Sequence, residues 1–286
     1  MLTYFQAIVL GLLQGITELF PVSSLGHSVI LPGLLGWHID QNAENFLEFL
    51  VGTHFATATV LFLIYRHDWE RIIKGISRSF KAREIKESDH DAKLGWLLVV
   101  GTIPAGVLGL LLKEHIQNMF LSPLSASFFL AMNGILLFAA ERLRRKAKAA
   151  DRAGDSDHRI TQQLSWRQAF GVGIMQILAL IPGFSRTGST LAGGLLVGLS
   201  HEDALRYSFL LATPIIGAAA LLELPLLFAS GNAALIGVTL IGALVAAAGA
   251  YFSAKFLARY FHRNTLTPFA IYCLAMGIMC MFVLAH

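Results

Sequence analysis

The sequence predicts an all-α polytopic membrane protein of two inverted-topology repeats, each a re-entrant helical hairpin plus three transmembrane helices, six full spans in total. Three observations predict it. The chain is 55% hydrophobic and only 14% charged, where soluble domains carry about a quarter charged residues, and several uncharged runs approach or exceed the ~20 residues that cross a bilayer as helix. A pattern then repeats: Gln6-Ala7 returns as Gln168-Ala169, Gly11 as Gly173, Gln14 as Gln176, Ser23 as Ser185 and Gly26 as Gly188. Both copies are apolar segments broken by Pro, Gly and Ser, the best sequence pointer to a site between two repeats of a membrane protein. The third observation is charge placement: 19 of the 22 Lys and Arg fall in Arg66–Lys93, Glu141–Arg167 and Lys255–Arg263.

The elements follow in order. Residues 1–36 form the first broken segment: an apolar helix, a stop at Pro21, and a restart near Leu25–Leu35. The opening M-L-T-Y-F-Q has no basic region and no cleavage site after it, so no removable signal peptide is expected. His38–Asn45 is a short polar loop and Phe46–Tyr65 the first span. Arg66–Lys93 is hydrophilic and has room for an amphipathic helix. Leu94–Leu112 spans again, with a kink expected at Pro104. Lys113–Pro123 is a short connector, Leu124–Ala140 a span and Glu141–Ser165 a charged loop. Trp166–Leu199 is the second broken segment, followed by spans at Ala204–Ala229, Ala233–Ala254 and Leu266–Leu284. The whole chain, 1–286, reads as one integral membrane domain: repeat one over about 1–141, a cytoplasmic linker over about 142–165, and repeat two over about 166–286.

If each broken segment returns to its own side, all three basic clusters lie on one face, and the positive-inside rule makes that face cytoplasmic. The first hairpin then enters from outside and the second from the cytoplasm. The pI near 9.2 therefore reports orientation in a lipid bilayer, not nucleic-acid binding. Cys273 and Cys280 stand i, i+7 in the last apolar run, so neither a disulfide framework nor a thiolate metal site is implied.

Three cations lie outside the basic clusters. Lys113 and Arg206 stand near span ends, from which long side chains reach the interface. Arg186 lies at the second break within apolar sequence, where a charge is costly and points to function. Glu18, in the first hairpin, is its natural partner, with Gln14 at i, i+4 on the same helix face. The Pro21 break frees backbone N–H groups near Ser23, Ser24 and Gly26, and Gly183–Gly188 repeats the arrangement. Two helix N-termini, an Arg and hydroxyl donors make an anion site, and the planar guanidinium suits phosphate. Ser24 and Ser23 stand i, i+3 and i, i+4 from His27, so either serine can face the imidazole as nucleophile beside a general base. Ser185, Thr187 and Thr190 add hydroxyls to the phosphate site or act as ordinary caps. His54 either lines the same cavity or packs as a hydrogen-bonded core residue.

Q-G-I-T-E-L-F-P-V-S-S-L-G-H (residues 14–27) and P-G-F-S-R-T-G-S-T (residues 182–190) resemble the two signatures of the BacA/UppP family of undecaprenyl-pyrophosphate phosphatases. The resemblance runs through the chain, including the stretch around His54, Tyr65–Trp69 and Pro268–Tyr272. It implies hydrolysis of undecaprenyl pyrophosphate to the monophosphate at the outer side of the bacterial cytoplasmic (inner) membrane. That reaction recycles the lipid carrier for peptidoglycan and other wall polymers and confers bacitracin resistance. It also implies a divalent cation, Mg2+ or Ca2+, near Glu18, and places Glu18, Ser24, His27 and Arg186 at the family's important positions. Gln14, Ser23, Gly183, Ser185, Thr187, Thr190 and His54 are the expected substrate-binding set. Gln14 replaces the first acidic residue of the family's E-x-x-x-E pattern, leaving one carboxylate on that face. Leu25 replaces the usual Thr, and Leu50 an acidic residue.

Two other readings compete. Type-2 phosphatidic-acid phosphatases share S-G-H and S-R fragments, but their downstream His is Ala192 here and their Lys-x6-Arg-Pro motif is missing. A prenyl-phosphate transporter or flippase would use the same inverted repeats, without needing the Ser–His–Glu group. The sequence leaves a homo-oligomer open.

Overall fold

Thr3 and Ser165 open their helices in the same way. Each hydroxyl accepts from the backbone N–H three residues on, Gln6 or Gln168, whose side chain returns a bond to the cap. Such a reciprocal box satisfies two N–H groups that a helix start leaves orphaned. In the computed structural model, which describes residues 2–37, 39–40, 43–120, 122–144, 156–229 and 232–286, these caps begin α1 (Tyr4–Thr17) and α8 (Trp166–Gln176). Each is followed by a break and a second short helix: α2 (Ser24–Leu34) after Pro21, and α9 (Arg186–Val197) after a 3-10 turn at Ile177–Leu180.

The remaining helices are α3 (Glu44–Ile64), α4 (Arg66–Ala82), α5 (His90–Phe120), α6 (Pro123–Leu143), α7 (Ser156–Gln163), α10 (His201–Ala229), α11 (Ala233–Tyr260) and α12 (Thr267–Leu284). Among the described residues six are long and apolar enough to cross a membrane: α3, α5, α6, α10, α11 and α12. The chain is thus a multi-pass membrane protein.

Several sequence expectations are corrected here. Lys113–Pro123 is no loop, because α5 continues as helix to Phe120. The hydrophilic stretch after Tyr65 carries the helix its sequence had room for, α4, which lays Ile72, Gly75 and Ser79 against α5. The charged linker carries α7, and its middle, 145–155, lies outside the described residues, as do 38, 41 and 42 of the polar loop. Arg206 does not reach for the interface. Its Nε lies 2.6 Å from Asp157 and its Nη2 3.1 Å from Asp68, tying α10 to α7 and α4. The side chain of Lys113 lies outside the described residues.

Close approach explains where the hairpins dock. α1 packs on α11, and α8 on α5. A Cβ on Gly11 would stand 2.4 Å from the carbonyl of Gly242, and a Cβ on Gly173 2.4 Å from that of Gly101. Small residues let helix backbones approach in this way within a bilayer. α6 then packs against α2, α9 and α12, and α10 against α9 and α3, so both hairpin tips are enclosed at the centre of the helix bundle.

Candidate active site

Ser23 caps α2 by accepting from the Gly26 N–H at 3.1 Å, and Ser185 caps α9 by accepting from Gly188 at 3.0 Å. Ser23 does so with φ at +70°, a conformation costing on the order of 1–3 kcal/mol for a residue with a Cβ and typical of functional sites. Gly183, in the second break, has φ +109°, and a Cβ there would also lie 2.4 Å from the Ala126 carbonyl. Only glycine fits that approach to α6.

The two tips satisfy one another. Breaking a helix leaves carbonyls without partners, and buried ones must find new donors. Thr187 Oγ1 donates to the Glu18 carbonyl at 3.0 Å, and Ser185 Oγ to that of Phe20 at 3.4 Å. Buried Asn133, on α6, joins both tips: its Nδ2 donates to the Pro21 carbonyl at 3.0 Å and its Oδ1 accepts from Ser185 N–H at 3.1 Å. The Cys273 thiol, on α12, also faces the Pro21 carbonyl.

This frame holds a buried carboxylate at its centre. Glu18 is the C-cap of α1. Its Oε1 receives Arg186 Nη2 at 2.8 Å. Its Oε2 receives Gln14 Nε2 at 3.0 Å, the Ser24 hydroxyl in a short contact, and His54 Nε2 at 3.2 Å. His54 Nδ1 lies 2.8 Å from the Leu50 carbonyl. The Leu50 carbonyl only accepts, so Nδ1 carries a proton, and Nε2 faces the Glu18 carboxylate, forming an ion pair with it when protonated.

Two polar atoms of the cluster remain without a partner among the described residues. They are Arg186 Nη1, a donor, and Gln14 Oε1, an acceptor. A buried group left in this state calls for a partner such as a water, an ion or a ligand.

His27 behaves differently from what its spacing to the serines allows. Nδ1 lies 2.6 Å from the Ser23 carbonyl, and Nε2 2.8 Å from Tyr272 Oη on α12. Both nitrogens face partners other than a serine hydroxyl, and Ser24 turns to Glu18 instead. Thr190 lies one layer behind Arg186: its hydroxyl donates to the Arg186 carbonyl at 2.9 Å and meets Ser208 Oγ at 2.5 Å, fixing α9 to α10.

The structure therefore brings Gln14, Glu18, Ser24, His54 and Arg186 into one connected cluster, with Ser23, Ser185 and Thr187 framing it. Gly183 serves the helix packing and His27 stands at the rim. Along the sequence Asn133 carries no role, Tyr272 only ends the matching stretch Pro268–Tyr272, and Cys273 is weighed only for disulfide and thiolate chemistry. A lone Asn or Cys inside an apolar run carries no local signal; only the distance in space does.

Among the described residues no group of three or more His, Cys, Asp or Glu is arranged to hold a metal. Mg2+ takes one or two carboxylates together with substrate phosphates, and Ca2+ also takes amide carbonyls. The Glu18 carboxylate beside the unpartnered Gln14 Oε1 fits that hard, oxygen-only mode, and a divalent cation is accommodated there only with ligands supplied from elsewhere.

Comparison with known proteins places this arrangement. The chain is 42% identical to undecaprenyl-diphosphatase 2 of Frankia alni, over 98% of this chain and 97% of the relative. It is 45% identical to undecaprenyl-diphosphatase of Mycolicibacterium paratuberculosis, over 96% and 95% of the two chains. Undecaprenyl-diphosphatase 2 of Burkholderia thailandensis is 44% identical over 96% and 94%. Residues 7–279 match the family described as bacitracin resistance protein BacA. That match takes in both broken hairpins and all but the ends of the helix bundle around them, and the chain belongs to the BacA family.

Proposed function

We propose that this chain is an undecaprenyl-diphosphatase that releases inorganic phosphate from undecaprenyl pyrophosphate and leaves the lipid monophosphate. The observation that carries the reading is Arg186. One arm of its fork grips Glu18 at 2.8 Å and the other, Nη1, is buried and unpartnered beside two capped helix N-termini. A pyrophosphate oxygen completes that donor set, because helix N-termini and guanidinium both favour phosphate.

The residues divide the chemistry. Ser24 Oγ attacks the terminal phosphorus while its proton passes to Glu18, on which it already donates. The bond from that phosphorus to the bridging oxygen breaks, and the lipid monophosphate leaves. Water then hydrolyses the phosphoserine, freeing inorganic phosphate. His54 and Arg186 hold the Glu18 carboxylate in place through ion pairs. A divalent cation, Mg2+ or Ca2+, held by Glu18 and Gln14 Oε1, would neutralise charge on the pyrophosphate oxygens. A direct attack by water, with Ser24 only binding phosphate, is the second reading.

Phosphate release by purified protein separates hydrolysis from transport. Within hydrolysis, Ser24→Ala separates the two attacks. Loss of a covalent nucleophile lowers kcat by several powers of ten, whereas loss of one hydrogen bond to a charged group costs roughly 1.5–3 kcal/mol, about one to two decades. A Ser24→Ala enzyme within tenfold of the parent rules out serine attack.

The inverted-repeat topology belongs to the same proposal. It is supported by the paired caps at Thr3 and Ser165, the paired contacts at Gly11 and Gly173 and the clustering of basic residues. The site then opens to the periplasmic or extracellular side of the cytoplasmic membrane, as substrate recycling requires.

A further inference from the structure

We infer that Tyr272 is a positioning residue for His27, fixing the ring in the tautomer with its proton on Nδ1 and its lone pair on Nε2. The inference rests on the hydrolase reading only for its effect on turnover; the tautomer stands on geometry. The Ser23 carbonyl, 2.6 Å from Nδ1, can only accept, so Nδ1 donates. The other contact, 2.8 Å from Nε2 to Tyr272 Oη, is then a phenol O–H donating to the free lone pair. Both partners are uncharged, which suits a neutral ring at a buried position. The rings are also parallel within 8°, with centroids 5.7 Å apart, so the phenol restrains the tilt of the imidazole as well as its proton.

The element that carries the tyrosine is held to the same hairpin at a second point. Cys273, the next residue of α12, directs its thiol to the Pro21 carbonyl. Tyr272 and Cys273 together grip the first hairpin on both sides of its break, at His27 and at Pro21. α12 packs on both α2 and α6, and α6 supplies Asn133. The break is thus held from the second half of the chain, by residues more than two hundred positions away.

The consequence is a direction for the proton. The nitrogen of His27 that can take a proton is Nε2, and it faces α12, while Ser24 faces Glu18. His27 and Ser24 lie on the same helix, α2, and work through different partners, and a proton taken up by His27 arrives at Nε2, on the Tyr272 side.

The test is nitrogen NMR on protein labelled with 15N only in histidine, in detergent, with His27→Gln identifying the His27 signals among the ten histidines. In the parent, Nδ1 carries the proton and Nε2 gives the signal of a hydrogen-bonded, unprotonated nitrogen. In Tyr272→Phe, which keeps the ring stack and removes the hydroxyl, the Nε2 signal moves toward that of a free unprotonated nitrogen. The kcat for phosphate release falls about tenfold, the scale of one neutral hydrogen bond, while KM stays within about twofold of the parent. A proton on Nε2 in the parent, an Nε2 signal unmoved in Tyr272→Phe, or a loss confined to KM overturns the assignment. The parent spectrum alone decides the tautomer if the variant does not fold. Absence of turnover in the parent would sink the hydrolase reading and leave the tautomer measurement standing.

Discussion

At the scale of single residues, the site turns on how one carboxylate is shared. Glu18 takes four donors from four helices: Gln14 of α1, Ser24 of α2, His54 of α3 and Arg186 of α9. A carboxylate has about four lone-pair sites; three of these donors crowd Oε2 and one sits on Oε1, which keeps a site open. Arg186 is the one partner with a donor to spare. Arg186→Lys retains the charge and loses the planar fork, so one ammonium must serve Glu18 and the phosphate from a single point. The expected outcome is a loss of kcat/KM of at least a hundredfold, about 3 kcal/mol, with unchanged elution and helicity in detergent. Near-parental turnover in Arg186→Lys would leave that residue as a strut for the hairpin. The pairing of Glu18 with Arg186 was legible in the sequence, because charges are scarce in apolar runs and two of them at repeated breaks must meet. His54 was legible only as a candidate: its neighbours in sequence are ordinary span residues, and its role depends on Glu18 standing 3.2 Å away.

At the scale of elements, two broken helices are stable because a third element satisfies what the breaks expose. Asn133 is that link, with Pro21 on its donor side and Ser185 on its acceptor side. Asn133→Leu conserves approximate volume, leaves the Ser185 N–H without its acceptor and leaves the Pro21 carbonyl only the weak Cys273 thiol. Each unsatisfied group costs roughly 1–3 kcal/mol, so the melting temperature in detergent should drop clearly. Asn133→Asp restores the acceptor toward Ser185 but withdraws the donor from Pro21 and adds a buried charge, so it should not rescue stability. A melting temperature for Asn133→Leu equal to the parent's would show that the tips hold each other without α6. None of this could be read along the chain. α6 appears in the sequence as an unremarkable apolar span, and its Asn acquires meaning only from the carbonyl that Pro21 frees more than a hundred residues earlier.

At the scale of the whole molecule, the six long apolar helices and the two hairpins make one bundle, and most of its basic residues fall in three stretches between or at the ends of the long helices. Under the proposed inverted topology the basic segments are cytoplasmic and the chain ends external. The two native cysteines are buried, so a new exposed thiol can report sidedness. Ser77→Cys, on the exposed side of α4, should react with an impermeant thiol reagent only after cells are opened. Labelling in intact cells would reverse the assignment of faces and end the inverted-repeat proposal.

The sequence by itself determined that this is a helical membrane protein, because hydropathy and helix length answer directly to the bilayer. It also determined where the chain breaks, because Pro21, Gly183 and the capping serines act on their own backbone. Only the tertiary structure decided which groups meet: that Ser24 turns to Glu18, that His27 turns to Tyr272, and that Asn133 closes both breaks. Those contacts join residues up to 245 positions apart, and local spacing fixes which face of a helix a side chain occupies but not what the rest of the bundle places opposite that face.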